Sequence, residues 1–187
     1  MGDSPARGER VDAQRNRERI MEVAREAFGA PEPPSMTQLA KLAGIGVGTL
    51  YRHFPTREAL IMEVYQHDIQ RLIDLAPELL REYPPEEALR RWLAEVARYG
   101  RLKYGAAEVI HAATGQGLQD PAYRPFVAAI AALLEAGSAA GVLKAGLDPE
   151  DVLLQLGALW RIPPRPDRDA RAARILELII DGLLARP

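Results

Sequence analysis

The segment GIGVGTLYRHF, Gly44 to Phe54, sets three glycines on alternate positions ahead of a Thr-Leu-Tyr-Arg-His-Phe run, and two folds compete for it. A dinucleotide loop needs G-x-G-x-x-G directly after a buried strand, so that the glycines admit the pyrophosphate and the helix behind supplies a positive end. Here Thr49 stands where the third glycine belongs, and the preceding MTQLAKLA reads as an amphipathic helix. A Walker loop needs Gly-Lys-Ser/Thr, and Gly48-Thr49 has no lysine. The competing fold is a helix-turn-helix, and Ala40, Gly44 and Leu50 have its spacing. A small residue lets two helices approach, glycine takes the left-handed turn, and an apolar residue pins the second helix to the core. Ile45 fills the corner and Phe54 the far end, which leaves Val47, Gly48, Thr49, Tyr51, Arg52 and His53 outward as a surface for double-stranded DNA.

Upstream, Ile20, Val23, Ala24, Ala27 and Phe28 recur at helical spacing until Gly29 and the prolines at 31, 33 and 34 stop the pattern. The polar head before it predicts a mobile arm over residues 1–12. Ser35 and Gln38 form a capping box for the next helix, with Leu39, Leu42 and Ala43 as its buried face. Thr56 caps a long helix through Leu60, Val64, Ile69, Leu72 and Ile73 to about Tyr83, with a bend expected at Pro77. After Pro84 and Pro85, Glu86 and Glu87 lie in the first turn of a helix carrying Leu89, Trp92, Leu93, Val96 and Tyr99, where acidic groups suit the dipole. Helical patterns follow over 106–113, 123–140, 148–160 and 168–185, and no segment alternates like a half-buried strand. The prediction is an all-α fold of about nine helices. A three-helix helix-turn-helix DNA-binding domain is expected over 13–56 and a C-terminal helical bundle over 57–187, with helix 57–83 joining the two; the ligand-binding and dimerisation roles of that bundle rest on the resemblance and side-chain patterns given below.

At 187 residues the chain can bury a sizeable core without staples, and it has no cysteine, which excludes disulfides and thiolate metal cages. The apolar runs are too short for a membrane span, and the polar N-terminus lacks a signal-peptide core, so a soluble cytoplasmic protein is expected. Net charge is −2: the first 60 residues hold nine Lys and Arg against eight Asp and Glu, and the other 127 hold fifteen against eighteen. With no basic coat, DNA affinity must come from a few placed cations and backbone donors.

The runs RIMEVAREAF and SMTQLAKLAGIGVGTLYRHFPTREAL closely resemble the N-terminal DNA-binding domain of TetR/AcrR-type transcriptional regulators, whose motif has the general form A-G-V-S-x-G-T-[LI]-Y-x-[HY]-F-x-[ST]-[KR]-E-x-L. EALRRWL, GVLKAGLDPEDVLLQLGALWRIP and RILELIIDGLLA resemble, more loosely, the ligand-binding part of one subset of that family. The resemblance implies that Thr49, Tyr51, Arg52 and His53 are recognition-helix residues. It likewise places Ser35 and Thr37 near a phosphate at the start of the supporting helix, and Arg57 with its charge toward the DNA backbone. Tyrosine hydroxyls and helix N-terminal amides donate to phosphate oxygens, and Arg52 has two open roles, forking onto a guanine edge or clamping a phosphate. Two positions depart from the pattern: Gly46 replaces the usual serine cap, and Val47 replaces a polar or basic residue, shifting readout toward methyl contact.

Trp92, Tyr99, Tyr104, His111, Tyr123, Phe126 and Trp160 bring large apolar bodies to the C-terminal bundle and are candidate linings of an effector pocket, with plain core packing the alternative for each. In the last helix Ile175, Leu176, Leu178, Ile179, Ile180, Leu183 and Leu184 wrap too far round the axis for one face. With Val152, Leu153, Leu156 and Leu159 they suggest a two-fold four-helix homodimer interface, as the family resemblance implies, with a helix buried at the centre of a monomer as the alternative. His67 and His111 are too far apart in sequence, and too poor in neighbouring carboxylates, to suggest a metal or catalytic site, and Ser4, Ser35 and Ser138 sit in no nucleophile elbow, so neither enzyme chemistry nor a cofactor is expected. The function expected is a ligand-responsive repressor on a palindromic operator. A helical binding or scaffold protein and an enzyme on the C-terminal bundle are the alternatives.

Overall fold

Local signals set most helix ends. Ser35 Oγ accepts from the Gln38 amide at 3.3 Å while Gln38 Oε1 accepts from the Ser35 amide at 2.8 Å, closing the capping box. Thr56 Oγ1 accepts from the Ala59 amide at 3.0 Å, and Asp148 accepts from the Glu150 amide at 2.8 Å with Pro149 next in line. The computed structural model describes residues 5–30, 32–114 and 120–185, with side chains from residue 14 onward except 101–103 and 105. Among them are nine α-helices: α1 Pro5–Phe28, α2 Met36–Leu42, α3 Val47–His53, α4 Arg57–Glu82, α5 Pro85–Gly105, α6 Ala107–Thr114, α7 Tyr123–Ala139, α8 Pro149–Leu156 and α9 Arg168–Leu183. Among the described residues there is no strand, only an isolated antiparallel bridge between Leu143 and Leu184. The all-α architecture is the one the periodicity predicts.

α4 ends where expected, and two other boundaries differ from expectation. α1 begins at Pro5, so the polar stretch expected as an arm is helical over most of its length; residues 1–4 lie outside the described ones. α4 runs unbroken through Pro77 to Glu82. The helix expected over 148–160 ends instead at Leu156, and a 3-10 turn, Leu159–Arg161, follows it. Gly157 caps that end, and its amide donates to the carbonyls of both Leu153 and Leu154 at 3.1 Å, the tightening usual where an α-helix gives way to a 3-10 turn.

α4 is the spine of the molecule, packing on α5 and α7 on one side and on α1 on the other. Its buried residues Leu60, Ile61, Val64, Ile69, Leu72 and Ala76 run the length of one face. Leu50, Leu60, Trp92, Leu93 and Ile130 are fully enclosed, each contributing roughly 1.5–3 kcal/mol by leaving water. Trp92 Nε1–H donates to the Leu72 carbonyl at 2.8 Å, so the indole is buried without an unmet donor. A continuous core thus extends from the three N-terminal helices into the C-terminal bundle.

Candidate functional site

The turn between α2 and α3 is built as the sequence requires. Gly44 adopts φ +66°, a left-handed conformation open to glycine at little cost. The Ile45 amide then donates to the Ala40 carbonyl at 3.0 Å, and Gly46 at φ −69°, ψ 143° starts α3 with no side-chain cap. Ala40, Leu50 and Phe54 are buried beneath α3, with Ile45 packed against the same core. Leu42, expected on the buried face of α2, is instead 59% exposed; Met36, Leu39, Ala40 and Ala43 make that face. The helix turns Leu42 off the stripe one step past Leu39 and short of Ala43.

With Leu50 inward, Val47, Gly48, Tyr51 and Arg52 are exposed and Thr49 and His53 half-buried at the edge of the same surface. Ser35 and Thr37 stand exposed at the start of α2. Arg52 lies along its own helix, Nη2 donating to Thr49 Oγ1 at 3.0 Å and Nε to the Gly48 carbonyl at 3.4 Å. Arg57 differs from the expectation of a charge directed outward. Its guanidinium is half-buried, donates to the Pro34 carbonyl and lies 4.8 Å over the Phe28 ring, tying α4 to α1 and the strap before α2.

In the C-terminal bundle a cavity of about 630 Å³ opens between α4, α6, α7 and α8. His111, Tyr123, Phe126 and Trp160 line it as expected. Tyr65, Ile69, Thr114, Asp120, Glu150, Leu153 and Arg161 line it too, and sequence reasoning missed them all as lining. Tyr65 and Ile69 are one turn apart on the buried face of α4, a signal the periodicity contained; Asp120 sits in an Asp-Pro stretch that reads only as loop punctuation.

Three of the expected liners lie elsewhere. Trp92 is sealed in the core, its ring 5.4 Å from that of Phe126, so it backs the cavity wall. Tyr104 is 38% exposed, beneath the Arg168 guanidinium. Tyr99 packs behind Tyr65 with ring centroids 6.1 Å apart and lines a smaller cleft of about 200 Å³ beside Arg25, Asp68 and Glu95. The Tyr65 hydroxyl donates to Asp120 Oδ2. Burial, and next the Asp120 carboxylate, push the Tyr65 phenol well above its ordinary range; burial, and next Tyr65, do the same to Tyr99.

Residues 20–64 match the family described as bacterial regulatory proteins, tetR family, and residues 84–185 match the SbtR-like transcriptional regulator C-terminal domain. The fold is similar to that of a TetR transcriptional regulator from Streptomyces coelicolor, with TM-score 0.76 and 36% identity, covering 91% of this chain and 99% of that one. It is also similar to a TetR regulatory protein from Mycobacterium vanbaalenii, with TM-score 0.72 and 32% identity over 94% of this chain and 99% of that one. The chain belongs to the TetR family of transcriptional regulators.

A curated relative, an HTH-type transcriptional regulator of Staphylococcus aureus strain USA300, is 41% identical over 76 residues, 40% of this chain. The chain spans about two-fifths of the length of that relative, 41%. As a TetR-family regulator the chain carries its DNA-binding helix-turn-helix on α2 and α3, and its relatives are regulators rather than enzymes. No described helix is long and apolar enough to cross a membrane, and the described residues contain no group of three or more His, Asp or Glu side chains fit to hold a metal ion.

The last two helices correct the expected interface in detail. Val152, Leu156, Leu159, Leu176, Ile179, Ile180 and Leu183 are buried within the chain itself. Their number reflects a helix that packs its own bundle more fully than a surface stripe would. Left exposed are Leu154, 76% exposed and also a lining residue of the cavity, and Leu178, 72% exposed and flanked on α9 by Arg174, the half-buried Ile175, Asp181 and Gly182.

Proposed function

We propose that this TetR-family regulator is a homodimeric repressor released from a near-palindromic operator by a small-molecule effector. The observation that carries it is the pairing, along one helix, of an outward recognition surface and a built cavity. α4 begins behind the helix-turn-helix and carries Tyr65 and Ile69 into the cavity wall. In this reading Thr49, Tyr51, Arg52, His53, Val47 and Gly48 face the major groove, Ser35 and Thr37 meet phosphates, and Arg57 braces the domain. Residues 13–56 form the DNA-binding domain and 57–187 the effector and dimerisation domain.

Two copies related by a two-fold axis would join through α8 and α9, with Leu154 and Leu178 at the contact, because large exposed apolar side chains favour a partner over water. The recognition helices must then lie about 34–36 Å apart to enter successive major grooves. An effector that prefers the mismatched separation shifts the equilibrium by its differential affinity, typically about 1–3 kcal/mol.

The test is selection of fragments of the host genome on the purified chain, followed by gel shifts of the retained sequences. Enrichment of a two-fold symmetric site, bound at a salt concentration where random DNA is released, is the expected result. Retention of fragments with no common site would overturn the operator assignment.

A further inference from the structure

Given the effector role proposed above for the cavity, the geometry points to an amphipathic organic cation as its ligand: a protonated amine on an apolar body, with the half-buried Asp120 as counter-ion. Much of the wall is apolar, made by the buried Ile69 and Phe126 and the half-buried Leu153 and Trp160. The polar end is built around Asp120. Its Oδ1 accepts from the Ala122 amide at 2.9 Å and its Oδ2 from the Tyr65 hydroxyl.

Both donors are neutral, and no described ion pair includes Asp120. A half-buried carboxylate has about four lone-pair sites, and two neutral donors leave capacity for a charged one. An ammonium placed there makes the stronger, charge-assisted kind of bond, whereas an anionic head would meet like charge in a partly desolvated site.

The other charges of the lining do not reverse this sign. Arg161 and Glu150 are both exposed and of opposite charge, and His111 is exposed as well. The Asp120 carboxylate, less exposed than any of these, therefore decides the sign of the head group. The rings of Phe126, Tyr123 and Trp160 offer faces that tolerate a cation. At about 630 Å³ the cavity falls in the range of small-molecule sites. Because Tyr65 belongs to α4, a head group that joins Asp120 acts directly on a side chain of the helix that reaches the DNA-binding domain.

Decylamine, decanol and decanoate share one chain and differ in the head group, so calorimetric titration of each into the full-length protein, below its micelle concentration, reads the sign. Decylamine is expected to bind at least about tenfold more tightly than decanoate, with decanol between them. Asp120→Asn keeps an oxygen for the Ala122 amide and should bring decylamine down to the level of decanol. Tyr65→Phe keeps the carboxylate and should preserve the preference for the amine. Equal or tighter binding of decanoate, a preference that survives Asp120→Asn, or one that disappears in Tyr65→Phe each overturns the charge assignment while leaving the cavity an effector site. Binding of none of the three overturns the effector role itself, and the assignment with it.

Discussion

Arg25 of α1 grips Asp68 of α4 side-on: Nε lies 2.8 and 2.9 Å from the two carboxylate oxygens and Nη2 lies 2.7 Å from Oδ1. Asp68 is only 7% exposed, so its charge is matched inside the protein rather than by water, and His67 Nδ1 stands 3.5 Å from the same oxygen. Arg17 to Glu63 at 2.7 Å repeats the link one α4 turn nearer the DNA, at a more exposed place. These pairs fasten α1 to α4, the helix that carries Tyr65 and Ile69 into the cavity wall.

Asp68→Ala removes the acceptor and leaves the Arg25 guanidinium partly buried without its partner. Because Arg25 retains some access to solvent, the expected cost is about 1–3 kcal/mol rather than that of a fully buried pair. Urea titration of the variant reads it as an earlier midpoint. An unchanged midpoint would mean the pair is screened by water and fastens nothing.

Gly44→Ala tests the turn. The backbone at φ +66° costs an L-residue about 1 kcal/mol, and an added Cβ would stand 3.1 Å from Arg19 Nη2, the far end of a side chain able to swing away. Gly141 has φ +71° with nothing near its missing Cβ, so Gly141→Ala reports the backbone term alone. Thermal unfolding should place the two losses within about 1 kcal/mol of each other. A much larger loss at Gly44 would show that Arg19 is held there.

How much of this was legible follows from what kind of signal each residue gives. The helix-turn-helix was readable because its constraints are local: Gly44 needs its φ, Ser35 its Gln38, Leu50 its buried place under Ala40. The cavity was only half readable. Aromatic bulk marked Phe126 and Trp160 correctly but also Trp92, which the core absorbed, and nothing in the sequence brings Asp120 to Tyr65 across 55 positions. The outer faces of α8 and α9 were not legible because apolar count does not reveal which residue of a pair such as Leu178 and Ile179 points inward until the helix is docked.

That distinction makes the dimer testable. Leu178→Asp places a charge where the free chain already meets water, so it should leave the unfolding temperature of the chain little changed while splitting the dimer in sedimentation. Ile179→Asp buries a carboxylate in the chain's own core and should unfold it. A Leu178→Asp variant that sediments at the parent mass would place the interface elsewhere.

Tyr65 in the cavity wall and Tyr99 behind it predict an alkaline limit to stability. In the unfolded chain tyrosine ionises near pH 10, while in the fold burial keeps both Tyr65 and Tyr99 protonated to higher pH. Below about pH 10 both states hold these protons and the contribution is complete. Above it the unfolded state binds fewer protons than the folded one, so stability falls as pH rises. Urea midpoints across that range should decline, and Tyr99→Phe should flatten the decline. Equal slopes in parent and variant would mean that Tyr99 is not the group responsible.

Arg52 is the sharpest probe of how the recognition surface works. Its hydrogen bonds to Thr49 and the Gly48 carbonyl are exposed and weak, so swinging the guanidinium out to DNA costs little. If Arg52 forks onto a guanine, Arg52→Ala should lose about 1–3 kcal/mol on the operator and far less on random DNA. A phosphate clamp predicts something else: equal losses on both DNAs, with the slope of log affinity against log salt shallower by about 0.9 per protomer. Fluorescence anisotropy over a salt series separates the two. The larger loss on operator is expected, because the side chain sits on the same outward surface as Tyr51 and Thr49 and one turn beyond Gly48, where no side chain stands between the helix and the groove.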